Sequence, residues 1–322
     1  MIPALPKNIR ADNNTRKSGV ISKLPSWFRQ EIPEEVALSR MRLLSQFNVN
    51  TVCSEAKCPN QSLCFKNSRL AFLILGNRCT RNCRFCAVNK AESRSLALDW
   101  EEPYRIAEIV KELGLNYVVI TSVTRDDLED GGAGIFAKTV ELIHEINPVR
   151  DIGNSNNESI VSNGIKIEVL IPDFGGNITS LQAVINSAPS VIAHNIETVR
   201  RLYEELRPHS NYELCLEVLR KIKQINPFLI TKSSLMLGLG ETETEVVNTM
   251  DDLRFLGCDI LTLGQYLAPS VGHYPVKEFI DAERFQKYGQ LGRALGFKAV
   301  LSGPLVRSSY QAEEVFREVA YV

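Results

Sequence analysis

The sequence predicts an α/β chain built around a parallel barrel, partial or complete, and three observations predict it. Apolar, β-branched runs of strand length recur from residue 70 onward. Stretches with helical periodicity fall between them. The runs are apolar almost throughout rather than alternating, which marks strands buried on both faces, and helices laid over a parallel sheet bury both.

The strands are read, in order, at 70–75 (LAFLIL), 117–123, 166–172, 191–196, 231–238 and 259–267. Ile106, Ile109, Val110 and Leu113 repeat at helical spacing and predict a helix over 104–113. Another helix ends near Ile146. Leu214, Val218, Leu219 and Ile222 predict one over 212–225. Segment 244–257 carries Val246, Val247, Met250, Leu253 and Leu256, and it stops at Gly257, a natural C-cap. After six β–α units, a helix at 282–296 and a strand at 298–304 close the series. Residues 149–163 (VRDIGNSNNESIVSN) break the rhythm. They are rich in Asn and Ser and lack a sustained period. Removing them leaves Asn147-Pro148-Gly164-Ile165, an ordinary short αβ turn, so they predict a mobile surface insertion without catalytic role.

Composition bounds the function classes. The formal net charge of −1 over 322 residues argues against general affinity for nucleic acid. Apolar residues at 44% suit a soluble globular chain, and no apolar run is long enough to cross a bilayer. The first 25 residues hold five basic side chains and one acidic one, a balance that a transit peptide shares. Pro3, Pro6 and Pro25 spoil an amphipathic helix there, so a mobile N-terminus of a cytoplasmic protein is expected instead.

Six of the eight cysteines fall within residues 53–86. Cys53, Cys58 and Cys64 are spaced C-x4-C-x5-C, and Cys79, Cys83 and Cys86 are spaced C-x3-C-x2-C. Clustered cysteines in a reducing compartment point to metal rather than disulfides. Structural zinc normally takes C-x2-C pairs and four ligands, and neither triplet offers four. Three thiolates instead hold three irons of a [4Fe–4S] cube and leave the fourth open to a small ligand. Two triplets imply two such clusters. The downstream triplet directly follows the strand at 70–75, at the end of a β/α barrel that carries chemistry. Cys215 and Cys258 read as small buried apolar residues, so the fourth ligand of the upstream cluster is sought in an oxygen, and Arg307-Ser308-Ser309-Tyr310 offers one.

The C-x3-C-x2-C spacing, with aromatic Phe85 before its last cysteine, resembles that of the radical S-adenosylmethionine enzymes. Taken with TVCSEAKCPN, TSVTRDDLEDGGA, HNIETV, MLGLGE, LTLGQYLAPS and GPLVRSSY, the whole chain resembles the lipoyl synthase family. The resemblance implies a partial (β/α)6-type TIM barrel over 70–297. It further implies an N-terminal extension (1–69) and a C-terminal segment (298–322) that carry an auxiliary iron–sulfur cluster. It implies two [4Fe–4S] clusters and S-adenosylmethionine as cofactors. The cluster on Cys79, Cys83 and Cys86 would yield a deoxyadenosyl radical that takes hydrogen from an octanoyl chain held on a lysine of a carrier domain. The cluster on Cys53, Cys58 and Cys64 would give up sulfur, with Ser308 preferred over Ser309 as its oxygen ligand. Contacts to S-adenosylmethionine are expected from Thr121, Ser122 and Asp126, from Asn195, Glu197 and Arg207, and from Gly238 and Gly240 unless those glycines only form a turn. Implied partners are octanoylated carriers, namely the glycine-cleavage H protein or a 2-oxoacid dehydrogenase E2, with a flavodoxin or ferredoxin as electron donor. A methylthiotransferase is the alternative within the same chemistry. An electron carrier would need far less chain.

Overall fold

The computed structural model describes residues 32–91, 97–147 and 164–320, together with Pro25, Phe28 and two short segments at 151–153 and 159–161. The basic N-terminal stretch and Trp27 lie outside the described residues. The chain starts with α1 (Glu35–Gln46), β1 (Asn50–Thr51), α2 (Val52–Glu55) and α3 (Gln61–Lys66). Next come β2 (Ala71–Ile74), the small strands β3 (Arg78–Cys79) and β4 (Asn89–Lys90), α4 (Glu102–Glu112), β5 (Tyr117–Ser122) and α5 (Ala133–Ile146). Then β6 (Asp151–Gly153), β7 (Ser159–Val161), β8 (Lys166–Leu170), α6 (Ile178–Asn186), β9 (Val191–Ala193), α7 (Tyr203–Leu206) and α8 (Tyr212–Ile225) follow. The chain finishes with β10 (Ile230–Leu237), α9 (Glu243–Phe255), β11 (Ile260–Gln265), α10 (Ala282–Ala294), β12 (Ala299–Gly303) and α11 (Ala312–Ala320).

Eight strands form one sheet in the order β1-β2-β5-β8-β9-β10-β11-β12. From β2 to β12 each neighbouring pair is parallel. β1 alone runs antiparallel, with Asn50 opposite Leu73 and Thr51 opposite Phe72. The order is linear, so the barrel is partial. Every residue of β2 and β11 is buried, as the unbroken apolar runs require. One ion pair is buried among them: Lys232 Nζ lies 2.7 Å from Glu168, which also accepts the Tyr117 hydroxyl at 2.8 Å.

Local chemistry fixes the helix ends. Thr242 and Glu245 form a capping box at the start of α9, and Asn211 accepts the amides of Glu213 and Leu214 at the start of α8. α4, α9 and α10 each give way to a glycine with positive φ (Gly114 59°, Gly257 83°, Gly296 94°), where a side chain would be strained.

Two readings need correction. The insertion is not without pattern: β6 and β7 pair antiparallel, with Ile152 opposite Ile160. Short runs containing Ile152 and, farther on, Ile160 and Val161 are enough for such a ribbon. The fourth strand stops at Ala193 rather than 196, because Ile196 gives its amide to the Ser233 hydroxyl instead of a backbone carbonyl, and pairing with β10 resumes only as a single bridge between Glu197 and Leu235.

The segments beyond the two edges of the sheet meet each other. Asn60 Nδ2 donates to Leu305 O at 2.6 Å, Arg69 pairs with Glu314, and the Phe316 ring of α11 lies 5.7 Å from Tyr117 of β5. N-terminal and C-terminal segments thus join across the opening of the partial barrel.

Candidate active site at the C-terminal ends of the strands

A cavity of about 1030 Å³ opens at the C-terminal ends of the parallel strands. Cys53 and Cys58 of one triplet and all of Cys79, Cys83 and Cys86 line it. Cys64 faces a smaller adjoining space of about 30 Å³, which Cys53 also borders.

The downstream cysteine loop is held from several sides. Just after β2, Leu75 and Gly76 both take left-handed backbone (φ 67° and 80°). The buried Glu102, first residue of α4, accepts both of their amides, at 2.6 and 3.2 Å. Thr80 donates its amide and hydroxyl to Thr124 O, at 3.0 and 2.9 Å. The Arg81 amide donates to Cys79 Sγ at 3.4 Å. Its buried guanidinium reaches two carboxylates: Asp126 at 2.8 and 2.9 Å, and Asp173 on both oxygens, one of them at 2.7 Å. Burial alone would raise the Asp173 pKa, but Arg81 overrides it and holds the carboxyl down at about 2. On the far side Tyr274 donates its amide to Arg84 O at 2.9 Å, and His273 Nε2 lies 3.2 Å from Cys86 O.

Burial pushes the thiols up. Cys53 rises to about 12 through burial and then through its neighbours Cys58 and Cys64. Cys64 and Cys86 rise to about 11, chiefly by burial, and Cys83 rises for the same reason. Protein charges therefore do not ionise these thiols, whereas bound iron would, since coordination deprotonates a thiol outright. The three soft donors of the downstream triplet all face the cavity and fit an iron–sulfur cube with one iron left open, while of the upstream triplet Cys53 and Cys58 face it and Cys64 faces the smaller space.

Of the residues expected around S-adenosylmethionine, Phe85, Thr121, Ser122, Asn195, Glu197 and Arg207 line the cavity. Asp126, Gly238 and Gly240 are not among its lining residues. Asp126 is engaged with Arg81 and Thr80, and the amides of Gly238 and Leu239 donate to Glu241 at 2.6 and 2.9 Å, closing a turn. Glu197 is pinned to β10 through its own backbone: its amide donates to Ser234 O and its carbonyl accepts from Met236, both at 2.9 Å. Burial raises the pKa of its carboxyl, with Arg207 opposing. The Arg207 cation is stabilised against burial by Tyr203, Cys215, Glu197 and Cys83. Ser122 Oγ and Arg207 Nε are buried and without a hydrogen-bond partner among the described residues. Orphaned polar atoms near a half-buried carboxylate and a half-buried guanidinium in the cavity wall fit a polar ligand bearing both an amine and a carboxylate.

Cys215 is more than an apolar filler. The Tyr203 hydroxyl donates to its sulfur at 3.0 Å and Arg207 Nη1 lies 3.6 Å away. Burial would raise this thiol, but His194, Arg207 and Tyr203 pull it down to about 6. It braces Arg207 from behind the cavity wall.

The two serines of the C-terminal motif face different ways. The Ser308 hydroxyl donates to Asn195 Oδ1 at 2.9 Å. Ser309 borders the main cavity together with Cys53 and Cys58, and the smaller space together with Cys53 and Cys64. Sequence reasoning missed Arg81, Asp173, Glu102 and Asn60. A basic residue inside a cysteine loop and a carboxylate just past a strand were the available signals for the first two.

The chain is similar to known proteins in sequence and in fold. The profile of the Radical SAM superfamily matches residues 73–253. A lipoyl synthase of Caldanaerobacter subterraneus subsp. tengcongensis is 48% identical over 290 residues, covering 90% of this chain and 95% of that protein. One from Syntrophotalea carbinolica is 45% identical over 309 residues, covering 95% of this chain and 94% of that protein. In fold, the chain is similar to HydG, a maturase of the [FeFe]-hydrogenase, with a TM-score of 0.55 at 16% identity over 77% of this chain and 54% of that one. It is also similar to methylornithine synthase, with a TM-score of 0.50 at 15% identity over 69% and 62%.

Proposed function

Since the chain belongs to the lipoyl synthases of the radical S-adenosylmethionine superfamily, we propose that its two cysteine triplets face one another across a single cavity in which an octanoyl chain becomes a lipoyl group. The enzyme is a sulfur-inserting transferase that acts on octanoylated lipoyl carrier proteins and uses [4Fe–4S] clusters and S-adenosylmethionine. The observation that carries the residue assignment is that five thiols drawn from both triplets line the same cavity.

In this reading Cys79, Cys83 and Cys86 hold the cluster that binds S-adenosylmethionine. Cys53, Cys58 and Cys64 hold the auxiliary cluster, and Ser309 rather than Ser308 is its oxygen ligand, because Ser309 alone of the two borders both spaces that the triplet faces. When bound, the cofactors supply what no side chain can: a radical able to open an unactivated C–H bond, and sulfur to replace the hydrogen. The protein's own residues bind and orient. Glu197 and Arg207 take the amine and carboxylate of S-adenosylmethionine, with Ser122 as a further donor. The apolar wall, including Val52, Val88, Leu235 and Phe279, excludes water from the alkyl chain. A hard serine oxygen suits iron less well than thiolate, so Ser309 would hold its iron less firmly than the three cysteines hold theirs. The carrier is the glycine-cleavage H protein or a 2-oxoacid dehydrogenase E2, and the electron donor a flavodoxin or ferredoxin. A cytoplasmic location accords with the absence, among the described residues, of any helix long and apolar enough to cross a membrane. The methylthiotransferase alternative is not favoured, given identity to lipoyl synthases over most of the chain.

The test is mass spectrometry of an octanoyl-lysine peptide after anaerobic incubation with reconstituted protein, S-adenosylmethionine and a reductant. Replacement of two hydrogens by two sulfurs is expected. Deoxyadenosine with an unchanged peptide would refute the substrate assignment.

A further inference from the structure

With Ser309 as the proposed iron ligand, Ser308 is left without a task, yet its position is defined. Its hydroxyl donates to Asn195 Oδ1 at 2.9 Å, and Asn195 Nδ2 donates to Glu197 Oε1 at 3.1 Å. These two bonds run from the loop after β12 to the loop after β9, joining residues 113 apart in sequence. All three residues line the cavity. The direction of the chain is set at the Glu197 end. Two main-chain bonds to β10 hold Glu197 in left-handed backbone and so fix where its side chain starts. A carboxylate only accepts, so an Asn195 amide turned the other way would put its oxygen against that carboxylate. The Asn195 oxygen is thereby turned toward the C-terminal loop, where the Ser308 hydroxyl supplies its donor, while the Asn195 backbone oxygen accepts Arg207 Nη1 at 3.4 Å. The acid and base assigned to S-adenosylmethionine both lean on residue 195, and residue 195 leans on the C-terminal loop.

We propose that Ser308 is a positioning residue that, through Asn195, couples the auxiliary-cluster side of the cavity to the S-adenosylmethionine side. The C-terminal loop in place favours S-adenosylmethionine binding. By linkage, bound S-adenosylmethionine steadies the loop that carries Ser309. The proposal rests on the assignment of Ser309 as ligand. It gives the paired serines separate duties, one toward iron and one toward the cosubstrate.

The test uses full-length protein reconstituted with both clusters, with S-adenosylmethionine affinity measured by equilibrium dialysis and iron counted in the same samples. Ser308→Ala is expected to keep the iron of both clusters and to bind S-adenosylmethionine about two- to tenfold more weakly, the worth of one neutral hydrogen bond. Ser308→Thr, which restores the hydroxyl, is expected to recover the affinity. Replacing Cys53, Cys58 and Cys64 with alanine should weaken binding in the otherwise native chain but add nothing in the Ser308→Ala background. If Ser308→Ala disturbs folding, Asn195→Ala carries the same expectation. Unchanged affinity in Ser308→Ala with all iron retained overturns the coupling and leaves the Ser309 assignment standing. Loss of auxiliary iron from Ser308→Ala but not from Ser309→Ala overturns that assignment, and the proposal with it.

Discussion

Arg81 stands between Cys79 and Cys83, and its buried guanidinium is shared by Asp126 and Asp173. Arg81→Met would leave the fully buried Asp173 side chain without its partner, a loss of about 3–5 kcal/mol for a broken buried pair. Denaturant unfolding of the variant measures it. The same pair sets a pH dependence whose sign is fixed. Asp173 falls from an ordinary 3.8 to about 2 in the folded chain. A depressed carboxylate pKa contributes stability that is whole above the unfolded value and is lost as pH falls through the folded one. The contribution is on the order of 2 kcal/mol and should fade between about pH 4 and pH 2. Asp173→Asn should remove that slope, and unfolding curves across the range would show whether it does. At this scale the cysteines could be read from their spacing, because the thiols of each triplet lie close in sequence. The clamp could not, since Arg81 meets carboxylates 45 and 92 residues away.

Among the elements, the strands were the most legible: long β-branched runs with no competing period leave little choice, and α8 spans 212–225 as its apolar spacing predicts. Shorter pieces were not. α2 and α3 carry Cys53 and Cys64 on four and six residues, too few to show a period, and Cys58 lies between them. The Asn/Ser-rich insertion hid the β6–β7 ribbon, because turn formers mask strands of three residues. That ribbon pairs only with itself in the sheet topology. Deleting 149–163, so that Asn147-Pro148 runs into Gly164-Ile165, should therefore change unfolding stability by less than about 1 kcal/mol, the shorter loop costing little closure entropy. Iron content should be unaltered. A loss of more than that, or of either cluster, would show that the insertion supports the barrel.

The molecule as a whole is an open barrel shut by its own two ends. Asn60 with Leu305 and Arg69 with Glu314 join segments that flank opposite edges of the sheet, and Phe316 of α11 packs on Tyr117 of β5 within it. Phe316→Ala should cost about 3–5 kcal/mol, as removal of a buried phenylalanine does, and should lower auxiliary iron more than the iron on Cys79, Cys83 and Cys86. Selective iron analysis after mild chelation distinguishes the two. This closure also sets an order of events during synthesis. Asn60 and Leu305 are 245 residues apart, so the cysteine triplet leaves the ribosome long before its serine is translated. With the ligands proposed above, a nascent chain presents Cys79, Cys83 and Cys86 together, within eight residues, whereas a cluster on Cys53, Cys58, Cys64 and Ser309 would wait until the chain has been made past residue 309.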